Sequence, residues 1–305
     1  MTRFALLRLL TAVPTLLLLA ALTFFLLRLA PGGPLDDERA LPPEVAAQVA
    51  AAYHLDEPLW RQFARYLGGA VRGDLGPSFQ YPGREVSAVI AEAFPVSLQV
   101  GSAALALALL LGGGAGALAA LRRDGFADHG TMVAATAALS VPTFVVAPLL
   151  ILGFAVGLGW LPAGGWDGWR SGVLPVVALA LPLAAAIARL MRTSLVEVLQ
   201  QGYILTARAK GLPEHVVLLR HALKPALVPV VSFLGPAAAQ LLTGSIVVEQ
   251  LFGIPGLGRH FVQGALNRDY TMVLGVVLFY GALIVLLNFV VDLLYGALDP
   301  RVRPQ

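Results

Sequence analysis

The chain has 305 residues, of which 58% are hydrophobic and 13% charged, with a formal net charge of +3 and a mean hydropathy of +0.78. So apolar a composition excludes an ordinary soluble domain and makes the bilayer the expected solvent. Cysteine is absent, which excludes a disulfide framework, a thiolate metal site and a cysteine nucleophile. The small net charge makes no case for a nucleic-acid partner, because in a membrane chain the distribution of charge between the two sides carries the information.

A hydrocarbon core about 30 Å thick needs roughly 20 apolar residues in a helix rising about 1.5 Å per residue. Six runs qualify, at residues 9–27, 96–121, 132–158, 173–190, 226–248 and 272–294. The first follows Arg3 and Arg8 and invites a reading as a secretory signal. Its run is longer than a typical signal core and ends in a Pro/Gly-rich stop at 28–34 instead of a small-residue cleavage site, so residues 1–30 are expected to be a first transmembrane helix.

Residues 31–94 form the one sizeable extramembrane region. It starts with an acidic patch, Asp36, Asp37 and Glu38, and turns amphipathic over 45–70. Leu55, Leu59, Phe63 and Leu67 recur four apart beside Trp60 and Tyr66, which predicts short helices lying on the membrane face. Pro58 after Asp56 and Glu57 suits a helix start. The region is either a cap over the helix bundle or a surface that receives a partner.

Within the spans, Gly112, Gly113, Gly114 and Gly116 predict close helix packing. Prolines interrupt span three (Pro142, Pro148), span four (Pro175, Pro182) and span five (Pro229, Pro236). They mark either broken helices around a pathway or the ordinary tolerance of membrane helices for proline. Trp160, Trp166 and Trp169 fit an interfacial aromatic belt, with ligand stacking as the alternative. Among the intramembrane polar residues, Gln240, Thr243 and Ser140 are the candidates for lining a pathway, while Asn288 and Asp292 are expected to meet a neighbouring helix.

Arginine and lysine gather on one side: Arg3 and Arg8, Arg122 and Arg123, then Arg189, Arg192, Arg208, Lys210, Arg220 and Lys224, and finally Arg301 and Arg303. The opposite short loops hold Arg170, Arg259 and Arg268. Both termini are therefore expected in the cytoplasm. Both lysines of the chain fall in the basic segment 201–225. Ser194 to Glu197 matches a capping box, which predicts a short helix just after span four. Gly202 is expected to interrupt it, a second piece to run over 203–210, Gly211 to act as a left-handed cap, and Pro213 to open a third piece reaching Leu223. Taken alone, the segment could also be a lipid-facing amphipathic loop with snorkelling bases.

The stretch from Tyr203 to Leu212, followed by Leu219 to Leu223, resembles the cytoplasmic loop of permease subunits of binding-protein-dependent ABC importers, in the oligopeptide/dipeptide branch. Leu205, Thr206 and Ala207 stand at the Glu-Ala-Ala positions of the family's general motif and Gly211 at its glycine. The motif's Glu is missing, and Lys224 replaces a proline. Arg72 to Phe79, Val247 to Gly258, Asn267 to Tyr270 and Leu298 to Arg301 are similar to further family stretches, so the resemblance covers nearly the whole chain.

The resemblance implies an all-α integral membrane protein of the bacterial cytoplasmic membrane, with six transmembrane helices, an external loop region and a cytoplasmic coupling helix. Residues 95–305 would be the permease domain, with its coupling loop at 194–225. It implies two cytoplasmic ATPase subunits that hold ATP and Mg, a second and different permease chain, an external solute-binding protein and alternating access. Tyr203, Leu205, Thr206, Ala207, Arg208, Ala209, Lys210 and Gly211 would dock the ATPases. Glu249, Phe252, Pro255, Gly256, Arg268 and Asp269 would form an external gate or receptor-facing surface. The solute would be a di- or oligopeptide, with nickel, glutathione and sugars as alternatives.

No phosphate-binding Gly-x-x-x-x-Gly-Lys-Ser/Thr loop occurs, so ATP hydrolysis and cofactor binding are not expected of this chain. An intramembrane protease would need His-Glu-x-x-His or a comparable constellation, whereas His54, His129, His215, His221 and His260 are scattered. A membrane scaffold without transport is the other alternative.

Overall fold

The computed structural model describes residues 2–29, 54–81 and 83–298. Their regular elements are helices, apart from an isolated antiparallel bridge between Pro77 and Glu85. In chain order these are α1 (Thr2–Leu29), α2 (Leu59–Ala70), α3 (Val86–Leu121), α4 (Phe126–Ser140) and α5 (Thr143–Leu150, prolonged as a π-helix over Ile151–Gly157). There follow α6 (Trp169–Leu199), α7 (Gly202–Ala209), α8 (Glu214–Ala226, π-helical over Val217–Ala222), α9 (Val228–Phe252), α10 (Leu257–Leu266) and α11 (Tyr270–Leu298).

Four helices, α1, α3, α6 and α11, are long and apolar enough to cross a membrane alone. The bent pairs α4 with α5 and α8 with α9 raise the number to six when each counts as one span. The all-α, six-helix expectation holds in that form, with one correction of shape. The third run, expected as a single span over 132–158, is folded by 103° between α4 and α5. Pro142 disfavours helical backbone in the residue before it and has no N–H to donate, so Val141 turns extended at φ −97°, ψ 120°. Pro175 and Pro182, in contrast, leave α6 continuous over 31 residues.

The chain divides into two compact units, residues 1–5, 97–254 and 284–305 in the first and residues 6–96 and 255–283 in the second. In the first unit α6 is the hub, packed by α4, α5, α8 and α9. Its most apolar window is 56% buried. A Cβ on Gly112 of α3 would collide with the Ala184 carbonyl of α6, and one on Gly116 with the Ala188 carbonyl, whereas Gly113 and Gly114 meet nothing within 4 Å. Two glycines one turn apart thus bring two backbones together, and close packing supplies the attraction that lipid, as apolar as the helices, does not.

A charged pair adds to this packing. Asp128, buried in the first turn of α4, accepts from Arg192 of α6 through two bonds of 2.7 Å, Nε to Oδ1 and Nη2 to Oδ2, and its Oδ2 also accepts the Asp124 N–H at 3.0 Å. Arg192, grouped above with the inner-surface bases, is therefore spent inside the chain. Gly235 of α9 abuts the Asn288 amide oxygen of α11, so Asn288 meets a neighbouring helix. The Asp292 side chain lies outside the described residues.

The capping box expected at Ser194 to Glu197 starts no helix. Ser194 is buried within α6, which has no glycine or proline after Pro182 to stop it and runs on to Leu199. Trp160 and Trp169 are exposed, and Trp166 folds over Gly172.

In the second unit α2 lies against α1, the Phe63 ring 5.3 Å from Phe24 and 5.7 Å from Phe25. Of the residues spaced four apart, Phe63 makes this contact, while Leu59 is exposed. The acidic patch and the amphipathic run up to residue 53 lie outside the described residues. Gly281 of α11 admits Leu19 of α1, and Gly275 admits Val86 of α3.

Gly112→Leu or Gly116→Leu should lower the thermal midpoint of the purified chain by about 5 °C, since overpacking costs about 1–3 kcal/mol. Gly113→Leu, which points into open space, should leave that midpoint within about 1 °C of wild type in the same melt. Asp128→Ala should also lower the midpoint, because it strands Arg192, and the exchange Asp128→Arg with Arg192→Asp should recover part of the loss.

Candidate functional site

The basic segment folds as a short helix between two turns. The chain leaves α6 at Gln200 and Gln201, and α7 opens at Gly202, so the break expected at that glycine falls just before it. At the far end Gly211 has φ +77°. Its N–H reaches the Arg208 carbonyl at 2.9 Å, and the Leu212 N–H reaches the Ala207 carbonyl at 3.3 Å. These are the two crossed bonds of a Schellman cap, which satisfies carbonyls that the helix end would leave bare. A Cβ at Gly211 would meet no atom within 4 Å, so glycine is needed there for its left-handed backbone and not for space. Pro213, expected in the first turn of the next helix, instead caps α8 at φ −64°, ψ 145°.

The eight residues of α7 present two faces. Ile204 and Ala207, three apart, are buried and fasten the helix to the rest of the first unit. Tyr203, Leu205, Thr206, Arg208, Ala209, Lys210 and Gly211 are exposed. Of the docking candidates, Ala207 alone points inward. Ile204, its fully buried companion, lies within the Tyr203–Leu212 stretch but not at the general motif's positions, and its three-residue spacing to Ala207 is the signal that marks it as an anchor.

Arg208 is tied within its own loop. Its Nε donates to Glu214 Oε2 at 3.2 Å and its Nη2 to Glu214 Oε1, which raises its pKa above the ordinary arginine value. The pair closes α7 onto α8 across the Gly211 turn, so the base expected to meet a partner's acids already has one. Lys210 is exposed beside it.

Among the pathway candidates, Ser140 is exposed at the end of α4 beside the bend, its hydroxyl on the Thr136 carbonyl at 2.8 Å. Gln240 and Thr243 fall on α9, with their side chains outside the described residues.

The end of α9 and the stretch after it are built largely inward. In the first unit Glu249 and Phe252 are buried at 0% and 1% exposure. Gly253, at φ +64°, caps α9, the Ile254 N–H returns to the Glu249 carbonyl at 2.9 Å, and the Phe252 carbonyl accepts the Gly165 N–H at 2.8 Å. In the second unit Gly256 is the buried N-cap of α10, and Pro255 is exposed.

Asp269, also in the second unit and fully buried, stands just before α11. Its Oδ1 accepts the Met272 N–H and the Thr271 hydroxyl, each at 3.0 Å. Its Oδ2 accepts the Ser78 hydroxyl and, at 3.1 Å, the Gln80 N–H. One carboxylate thus caps a helix and joins residues 191 positions apart, with four donors offsetting its removal from water. Arg268 beside it is exposed, at φ +56°. Of the six residues expected at a gate or receptor face, Glu249, Phe252, Gly256 and Asp269 lie inside the chain, and Pro255 and Arg268 reach its surface.

Residues 112–304 match the family model described as binding-protein-dependent transport system inner membrane component, and residues 1–101 match the model of its N-terminal part. Over 305 residues the chain is 50% identical to the oligopeptide transport system permease protein OppB of Haemophilus influenzae and to that of Escherichia coli strain K12, covering 99% of this chain and 100% of each relative. It is 43% identical over 303 residues to the dipeptide transport system permease protein DppB of Bacillus subtilis, covering 99% of this chain and 98% of that one. Among solved structures, the MetNI methionine ABC transporter in an inward-facing conformation shares the fold, with a TM-score of 0.60 at 19% identity over 69% of this chain and 96% of that chain. Matched along its length by the family models and by relatives of the same size, the chain belongs to the inner membrane components of binding-protein-dependent transport systems, as a multi-pass subunit and not an enzyme.

Proposed function

We propose that the chain is the permease subunit of an ATP-driven importer of oligopeptides or dipeptides, working by alternating access. The names of the relatives at 50% and 43% identity support the solute class. In this reading a second, different permease chain completes the pathway, two cytoplasmic ATPase subunits bind ATP and Mg, and an external binding protein delivers the peptide. The termini and α7 lie in the cytoplasm, in line with the distribution of arginine and lysine. Ser140, Gln240 and Thr243 are the candidates for the pathway wall, and Pro255 and Arg268 for the receptor side.

The observation that carries the mechanism is α7 itself. It is a capped helix of eight residues, anchored inward by Ile204 and Ala207, that leaves Tyr203, Leu205 and Lys210 uncovered. An exposed tyrosine is the kind of anchor that protein interfaces favour, and the uncovered Leu205 beside it adds apolar area to the same surface. The partner subunits close on ATP, move α7, and α7 passes the motion to α6 only two residues away.

The test uses the purified complex in proteoliposomes, with peptide uptake and ATP hydrolysis read together. Gly211→Val should lose at least about tenfold in uptake, because a β-branched residue in left-handed backbone costs about 1–2 kcal/mol or more. Gly211→Asn should stay near wild type. Arg208→Glu should be impaired and partly rescued by Glu214→Arg, whereas Lys210→Glu, expected to fail through its contact with the ATPases, should have no such rescue. Coupled, wild-type uptake by a Tyr203→Ala, Lys210→Glu double variant would sink the docking role.

A further inference from the structure

The second unit holds two cavities stacked along one interhelical groove. On α1 the first is lined by Phe24, Leu27 and Arg28, and the second by Val13, Leu17 and Ala20. On α11 the first is lined by Tyr270 and Leu274, and the second by Leu278 and Ala282. Each series continues at three- or four-residue spacing, so a single face of α1 and a single face of α11 run past both cavities.

Their chemistry differs sharply. In the first, of about 330 Å³, the Arg28 guanidinium lies 4.9 Å from the Phe24 ring centroid and 5.5 Å from that of Tyr270, and it donates to Gln62. The Tyr66 hydroxyl, on a residue that lines the same cavity, is buried with no hydrogen-bond partner among the described residues. Asp74 adds a carboxylate to the wall. The second cavity, of about 590 Å³, is apolar apart from Ser87.

The dimensions match one leaflet. Val13 and Arg28 are fifteen residues apart, so α1 rises about 22 Å between them. Half of a bilayer that is about 40–45 Å thick with its headgroups is about 20–22 Å. A cationic, hydrogen-bonding end at interfacial depth, continued by an apolar trough of that length, has the shape and polarity of a phospholipid.

We propose that this groove holds one resident phospholipid with an ammonium headgroup. Arg28 and the Tyr66 hydroxyl receive its phosphate, Asp74 faces its ammonium, and an acyl chain lies in the trough between α1, α3 and α11. The arginine fork fits phosphate oxygens, the phosphate supplies the partner that the tyrosine lacks among the described residues, and the acyl chain fills space that no described side chain occupies. The lipid would thereby link α2 to the membrane helices of its unit.

Native mass spectrometry of the full chain in mild detergent, titrated with dioleoyl phosphatidylethanolamine, tests this. Wild type should hold one lipid per chain through detergent exchange. Arg28→Gln, which keeps a hydrogen-bonding end near Gln62, and Ala91→Phe, which fills the trough from its exposed edge, should each weaken retention at least about tenfold. Arg28→Lys should restore part of it. Should Arg28→Gln fail to fold, Ala91→Phe carries the test, because Ala91 is an exposed position. Inorganic phosphate and oleate, each matching half of the site, should displace the lipid only at far higher concentration than the lipid itself. A wild-type chain without bound lipid, unchanged retention in Ala91→Phe, or displacement by phosphate or oleate at concentrations equal to the lipid would overturn the proposal.

Discussion

The first unit depends on the contact of Gly112 and Gly116 with the carbonyls of Ala184 and Ala188. In water, helices are driven together by burying apolar surface, but in a bilayer the surroundings are as apolar as the side chains. What remains is dispersion between closely fitted atoms and a few polar contacts, and both demand near approach. Absent side chains let the backbones of α3 and α6 touch, and α6 can then gather α4, α5, α8 and α9 around it. The Asp128–Arg192 pair holds α4 to the same helix with two charge-assisted bonds.

This arrangement bears on how force would travel. The 31 residues of α6 form one continuous helix of roughly 46 Å along its axis, carried through Pro175 and Pro182 without a break. A loop fastened to the end of such a helix acts on all that packs along it. The rigid elements of α7 are local ones: a left-handed glycine, two crossed backbone bonds, an inward pair of apolar residues and one ion pair across the turn. None of these gives much stability alone, since exposed ion pairs contribute little. Together they define one shape for the surface that stays uncovered.

Much of this was legible in the residues. The apolar runs marked the membrane helices, the cluster of glycines marked close packing, and Gly211 was readable as a left-handed cap because its position after a helical run leaves few other uses. The failures have physical causes. Ser194 to Glu197 has the pattern of a capping box, but a pattern starts a helix only where the preceding one stops, and nothing stops α6 before Gln200. The 103° fold at Pro142 and the continuity of α6 through Pro175 and Pro182 show that proline marks a possible break, while neighbouring packing decides whether it occurs. Arg192 counted as a surface base because its partner lies 64 positions away. The meeting of Ser78 with Asp269 was likewise beyond any local pattern.

Burial separates two kinds of residue within stretches that looked alike in the sequence. In α7 the quoted motif positions are mostly exposed, so those side chains are available to something outside the chain. At the end of α9 and beyond it the reverse holds: Glu249, Phe252, Gly256 and Asp269 are buried, and each closes a helix or accepts a bond from a neighbouring segment. A glycine or an aspartate in such a stretch can be required by the fold of the loop that carries the contact instead of by the contact itself. Asp269 illustrates the distinction, since all four of its donors belong to its own chain. It anchors the turn in which Arg268 stands exposed in left-handed backbone, so in this stretch, where Pro255 and Arg268 reach the surface, a buried carboxylate sets the backbone of the second.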